Sequence, residues 1–194
     1  MNNQFNPERL AATINTTVKR VLEAQNKAVV TGMFDLQADL LTRVFTDGVD
    51  SNGTAIGNYS TRPMYYSLKN KTSQVRSSSL KPSGKFSKKS EFKNGNQRKS
   101  QYFAGGYSEF RKVVGRQNAK VDLRLTGSLQ LAIQVGVSQN TVTLGFNNDE
   151  QFKKAEGNEK RFNKVIFSAS EAELDTLEEK WAKDVTDAYY ESFE

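Results

Sequence analysis

The chain has 194 residues, 36% of them apolar, with 28 Lys and Arg against 22 Asp and Glu and neither Cys nor His. Without Cys there are no disulfides, thiolate nucleophiles or thiolate metal sites, and without His the side chain most used for acid/base work near neutral pH is missing, as is the commonest zinc ligand. A non-enzymatic protein with no cofactor is therefore expected, and the net charge of +6 favours an acidic partner, either nucleic acid or a protein surface.

The N-terminal residues lack the positive start and apolar run of a secretory signal. No segment approaches the roughly 20 apolar residues that a membrane helix needs, so a soluble, unexported protein is expected. Asn6-Pro7-Glu8 reads as a helix start, with Asn6 as N-cap, Pro7 at the first helical position and Glu8 at the positive end of the dipole. Leu10, Ile14, Val18, Val21, Ala28, Met33, Leu36, Leu40 and Val44 recur at helical steps to about Phe45, with Gly32 as the one place where the helix could break into a bent pair.

The stretch from Asp47 to Asn58 is a loop by composition. Its Asp47, Asp50 and Asn52 lack the alternating ligands and distal Glu of a calcium loop, so a solvated turn is expected there. After an aromatic patch from Tyr59 to Tyr66, the region Leu68 to Ser100 carries ten Lys and Arg against one acid, Glu91, while the rest of the chain is net acidic. The cations are Lys69, Lys71, Arg76, Lys81, Lys85, Lys88, Lys89, Lys93, Arg98 and Lys99. The region has no apolar period and reads as a long loop with room for one short hairpin. It could track nucleic-acid phosphates, with Phe86 and Phe92 stacking on bases, or thread along acidic protein subunits. Eight Lys to two Arg suits diffuse attraction over bidentate base readout.

Gly105-Gly106 reads as a tight turn before an amphipathic helix at Tyr107 to Val114, ended by Gly115. Ser128 to Val137 alternates strictly, with Leu129, Leu131, Ile133, Val135 and Val137 on one face. A strand with that face buried is expected, paired in a hairpin with Thr141 to Phe146. Asp149 to Glu156 reads as a short helix ended by Gly157, and Val165-Ile166-Phe167 as a brief strand. Ser170 and Glu173 form a capping box before a last helix whose Leu174, Leu177, Trp181, Val185 and Ala188 share a face. From Glu171 to Glu194 there are nine acids and two Lys. Glu171, Glu173, Asp175, Glu178 and Glu179 are the candidate acidic contacts between subunits, a solvated helix face being the alternative to paired catalytic carboxylates. The expected class is α+β in a single domain over 1–194: an N-terminal helical segment at 1–46, a basic extended insertion at 67–100 and a sheet-and-helix core at 101–194, with a small antiparallel sheet packed against helices.

The order of these features resembles the phage tail-completion and head-to-tail connector proteins, of the minor tail or virion-morphogenesis type. Leu123, Thr126, Gly127 and Leu129 match the family's element that opens the sheet, and Gly157, Arg161 and Phe162 match its later Gly, Arg and Phe segment, with Ser168 or Ser170 capping the helix that follows. IGNYS and FAGGYSEFR are similar to versions in tailed phages of Bacteroidetes hosts, including the crAss-like group. Ala155-Glu156 stands where the family often has His-Gln, and the family's Pro is missing from Asn163 to Ser168. The resemblance implies a non-enzymatic ring subunit of six or twelve copies in the neck or upper tail of a virion, assembled in the host cytoplasm. Its neighbours would be portal, connector or tail proteins, with non-specific contact to DNA in the channel. The alternative is a monomeric, non-sequence-specific nucleic-acid binder, and neither reading involves a membrane.

Overall fold

In the computed structural model the described residues are 7–67, 89–91, 97–139 and 141–191. They are α+β: helix α1 (Pro7–Thr42), strands β1 (Met64–Ser67), β2 (Lys89–Glu91) and β3 (Gln97–Phe103), helices α2 (Gly106–Val113) and α3 (Ser128–Leu131), strands β4 (Ile133–Ser138) and β5 (Thr141–Phe146), and helices α4 (Asp149–Phe162) and α5 (Glu171–Glu191). None of the described helices is long and apolar enough to cross a membrane. The chain groups into two compact units made of discontinuous stretches.

The first unit comprises Met1–Leu40, Ile133–Asn147 and Ala169–Glu194. Its α1 begins at Pro7 and runs unbroken through Gly32, on the order of 55 Å at 1.5 Å per residue. Gly32 is there for packing: a Cβ at that position would meet the Leu177 side chain of α5. Asp35 and Lys180 form an ion pair beside it, and Gln37 Nε2 donates to the Ile133 carbonyl at 2.7 Å, tying α1 to the hairpin. In the hairpin β4 and β5 pair antiparallel, Val135 opposite Leu144 and Ser138 opposite Thr141. Neither strand has a buried face. On β4 only Ile133 is buried, and Val137 is 57% exposed.

The expected strand start at Ser128 is overturned. Gly127 takes φ 87°, Thr126 Oγ1 accepts from Ser128 N, and Leu131 N donates to the Gly127 carbonyl, so Ser128 to Leu131 forms a helical turn. A left-handed Gly with a hydroxyl directly before it offers the backbone a local alternative that period-two counting misses. Leu129 is buried, whereas Leu131 is 75% exposed.

The second unit comprises Leu41–Ala132 and Asn148–Ser168. The α1 helix runs into a π turn at Arg43–Asp47 and ends at Gly48, whose φ of 70° lets its N–H reach the Arg43 carbonyl. Val44, Phe45, Ile56, Phe103, Phe110, Val121 and Ile166 are almost wholly buried and form the core. Its sheet runs β1-β3-β2, all antiparallel, so regular structure enters the basic insertion at 89–91 and 97–100. Tyr65 and Tyr102 pack across β1 and β3 with ring centroids 5.1 Å apart and planes tilted by 52°. Gly106 holds φ 66° where a Cβ would lie 2.6 Å from the Ser60 carbonyl oxygen, so the Gly105-Gly106 turn is needed sterically.

Two further expectations change. Gly157 does not end α4, which continues to Phe162 and stops at Asn163 in the left-handed region. An exposed Gly inside a helix costs about 1 kcal/mol against Ala, too little to break one held at both ends. Val165 to Phe167 is no strand: Ile166 N and Phe167 N donate to Glu159 Oε1 at 2.8 and 3.1 Å, while Arg43 donates to the Ile166 carbonyl. These side chains supply the partners that a neighbouring strand would have supplied.

Candidate functional site

Of the ten cations in the basic region, Lys69, Lys71, Arg76, Lys81, Lys85, Lys88 and Lys93 lie outside the described residues. Lys89 stands opposite Lys99 in the β2–β3 register, and Arg98 opposite Ser90. Of the acids, Glu171, Asp175, Glu178 and Glu179 are exposed on α5. Glu173 is half-buried and serves the capping box: Ser170 N donates to Glu173 Oε2 at 2.7 Å and Glu173 N to Ser170 Oγ at 3.2 Å.

Asp50 is a turn anchor. It is 2% exposed and accepts from Asn52 N, from Thr54 N and Oγ1, and from Lys164 Nζ at 2.7 Å. Burial opposes its charge, but the bonds from Lys164, Thr54 and Asn52 outweigh it and hold the carboxyl well below the usual carboxylate range.

The second unit also contains a polar cavity of about 380 Å³ between α4 and the segment 123–129. One wall is built on a buried network. Asp122 Oδ1 accepts from Arg111 at 2.7 Å, Tyr59 Oη at 2.9 Å and Arg124 N at 3.0 Å. The Arg111 guanidinium also lies 4.2 Å from the Tyr59 ring centroid. Burial pushes the hydroxyls of Tyr59 and Tyr107 above the usual phenol range, so both stay protonated donors. The Asp122 backbone leads into Leu123, held at φ 49°.

The other wall is one face of α4, where Gln151, Lys154, Gly157, Asn158 and Arg161 follow at helical steps. Arg111, Lys154 and Arg161 bring positive charge, and among the described residues no carboxylate lines the cavity. Lys154 is paired at 2.6 Å with Glu150 outside it. Among the described residues Arg161 has no carboxylate partner, and its guanidinium lies 5.5 Å from the Phe162 ring centroid.

The two short motifs singled out in the sequence meet here. Leu123, Thr126, Gly127 and Leu129 line one wall, and Gly157, Arg161 and Phe162 the other. The Arg111, Asp122 and Tyr59 network that supports them was missed, because a buried ion pair between a helix and a loop leaves no periodic signal. The charge at position 111 inside an otherwise apolar helix face was its only trace.

The first unit has an apolar groove of about 220 Å³ between α1 and α5, lined by Val29, Met33, Leu177, Glu178 and Trp181. No protein-family model, curated protein or solved structure matches this chain.

Proposed function

We propose that this protein is a structural, non-enzymatic ring subunit of a phage neck or upper tail, joining head and portal to tail through head-to-tail contacts between copies and through its basic region. The observation that carries the reading is apolar surface exposed on the described residues of α1 and α5. Ile14, Val18 and Leu22 follow at four-residue steps on α1 and are 52%, 51% and 53% exposed. No residue of α5 is buried, although Leu174, Leu177, Trp181, Val185 and Ala188 form its apolar stripe.

Full burial of one such side chain is worth about 1.5–3 kcal/mol, so helices that leave a stripe half open gain stability when a neighbour covers it. The acidic α5 and the basic region have opposite charge, which suits a heterologous contact repeated around a closed ring. The meeting of both resemblance motifs at one cavity also favours the reading, since separate chance matches need not converge.

The test replaces charge and leaves the backbone intact, because removing Lys69 to Lys99 would take β2 and part of β3 with it. Substituting Gln for Lys69, Lys71, Arg76, Lys81, Lys85 and Lys88 should abolish the oligomer and leave the melting temperature nearly unchanged. Oligomer formation that ignores these substitutions removes the basic region from the account.

A further inference from the structure

The cavity between α4 and residues 123–129 is built for a ligand that the chain itself can offer. Its charge comes from Arg111, Lys154 and Arg161, and its lining contains no acid among the described residues. Asp122 neutralises Arg111, and Glu150 neutralises Lys154 from outside the cavity. Arg161 is left with its charge unmatched among the described residues. Tyr59, Tyr107 and Phe162 add aromatic surface, and Gln151, 8% exposed, lines the cavity with an Oε1 that has no hydrogen-bond partner among the described residues. Unmatched positive charge beside aromatic walls selects an occupant that joins a carboxylate to an aromatic ring.

The end of α5 carries that combination. Tyr189 and Tyr190 are 47% and 66% exposed, an unusual state for such large rings, and Asp187 and Glu191 flank them. We propose that this cavity is the seat for the acidic, aromatic end of α5 from a second copy of the chain. The inference rests on the head-to-tail reading and gives that contact an address. Tyr190 enters between the aromatic walls, and the adjoining carboxylates meet Arg161. One ring surface is thus the cavity and the other the tip of α5, two different patches, as a heterologous interface requires.

The test uses the full-length chain and an acetylated, amidated peptide of residues 182–191. The peptide should bind the protein and dissociate its oligomer. Arg161→Glu should weaken peptide binding at least tenfold without lowering the melting temperature, because Arg161 makes no ion pair among the described residues. A peptide with Asp187→Lys and Glu191→Lys should lose binding to the wild-type chain and regain it on the Arg161→Glu chain. A peptide of scrambled sequence controls for diffuse attraction to the basic region. Equal binding by the scrambled peptide, or indifference to Arg161→Glu, overturns the seat. An oligomer that persists in either case keeps the ring reading and discards only this contact, whereas a chain that stays monomeric and binds no peptide overturns both.

Discussion

The Arg111 guanidinium and the Asp122 carboxylate lie 2.7 Å apart, their side chains 1% and 9% exposed, with the Tyr59 hydroxyl bonded to the same carboxylate oxygen. Removing one member of such a pair strands the other charge away from water. Asp122→Asn should cost about 3–5 kcal/mol, read as a lower urea midpoint, whereas Lys154→Gln in the exposed pair with Glu150 should leave the midpoint nearly unchanged. Equal losses would mean that the network does not hold the cavity wall.

The Asp50 and Lys164 pair makes stability depend on pH. The Asp50 carboxyl titrates below its unfolded value in the folded chain, so its contribution is complete above the unfolded pKa near 4 and is lost as pH falls from there toward the folded value. Asp50→Asn should lower the melting temperature at pH 7 and leave a shallower decline on acidification below about pH 4. Parallel melting curves for both proteins across that range would contradict this assignment.

Glycines 106 and 157 should respond in opposite directions. Gly106→Ala sets a Cβ at positive φ against backbone carbonyls and should destabilise by about 2 kcal/mol or more. At Gly157, inside α4, no described atom beyond its own stretch of helix backbone lies within 4 Å of the added Cβ, so Ala should stabilise by about 0.5–1 kcal/mol. Thermal melts of the two variants decide the matter.

Ser170→Ala removes the oxygen that accepts from Glu173 N at 3.2 Å. The loss should be about 1 kcal/mol, visible as fraying at the start of α5 in hydrogen exchange. No change in exchange there would mean that α5 starts without its box.

Features with local physical causes could be read from the sequence. Pro7 marked the start of α1, Ser170 and Glu173 the start of α5, and the alternation of β5 its pairing with β4. The errors came where long-range partners decide. Val165 to Phe167 looks like a strand because it is apolar and β-branched, yet Glu159 and Arg43 take its backbone groups. Ser128 to Leu131 alternates like a strand, yet Gly127 and Thr126 start a helical turn. The motif residues 123–129 and 157–162 were visible as short patterns. Their meeting at one cavity depends on how α4 packs, which neither pattern encodes.

The exposed stripe on α1 gives its own prediction. Leu22→Glu places a charge where a neighbouring copy should cover an apolar side chain, so it should weaken assembly and leave monomer stability within about 0.5 kcal/mol. Sedimentation of the variant beside the wild-type chain measures the first effect, and urea unfolding the second.

The central claim is that copies of this chain close into a ring, and native mass spectrometry of the full-length protein over a range of concentrations tests it most directly. A single discrete species of six or twelve copies that dissociates as salt is raised is the predicted result. A monomer at every concentration and at low salt would contradict it.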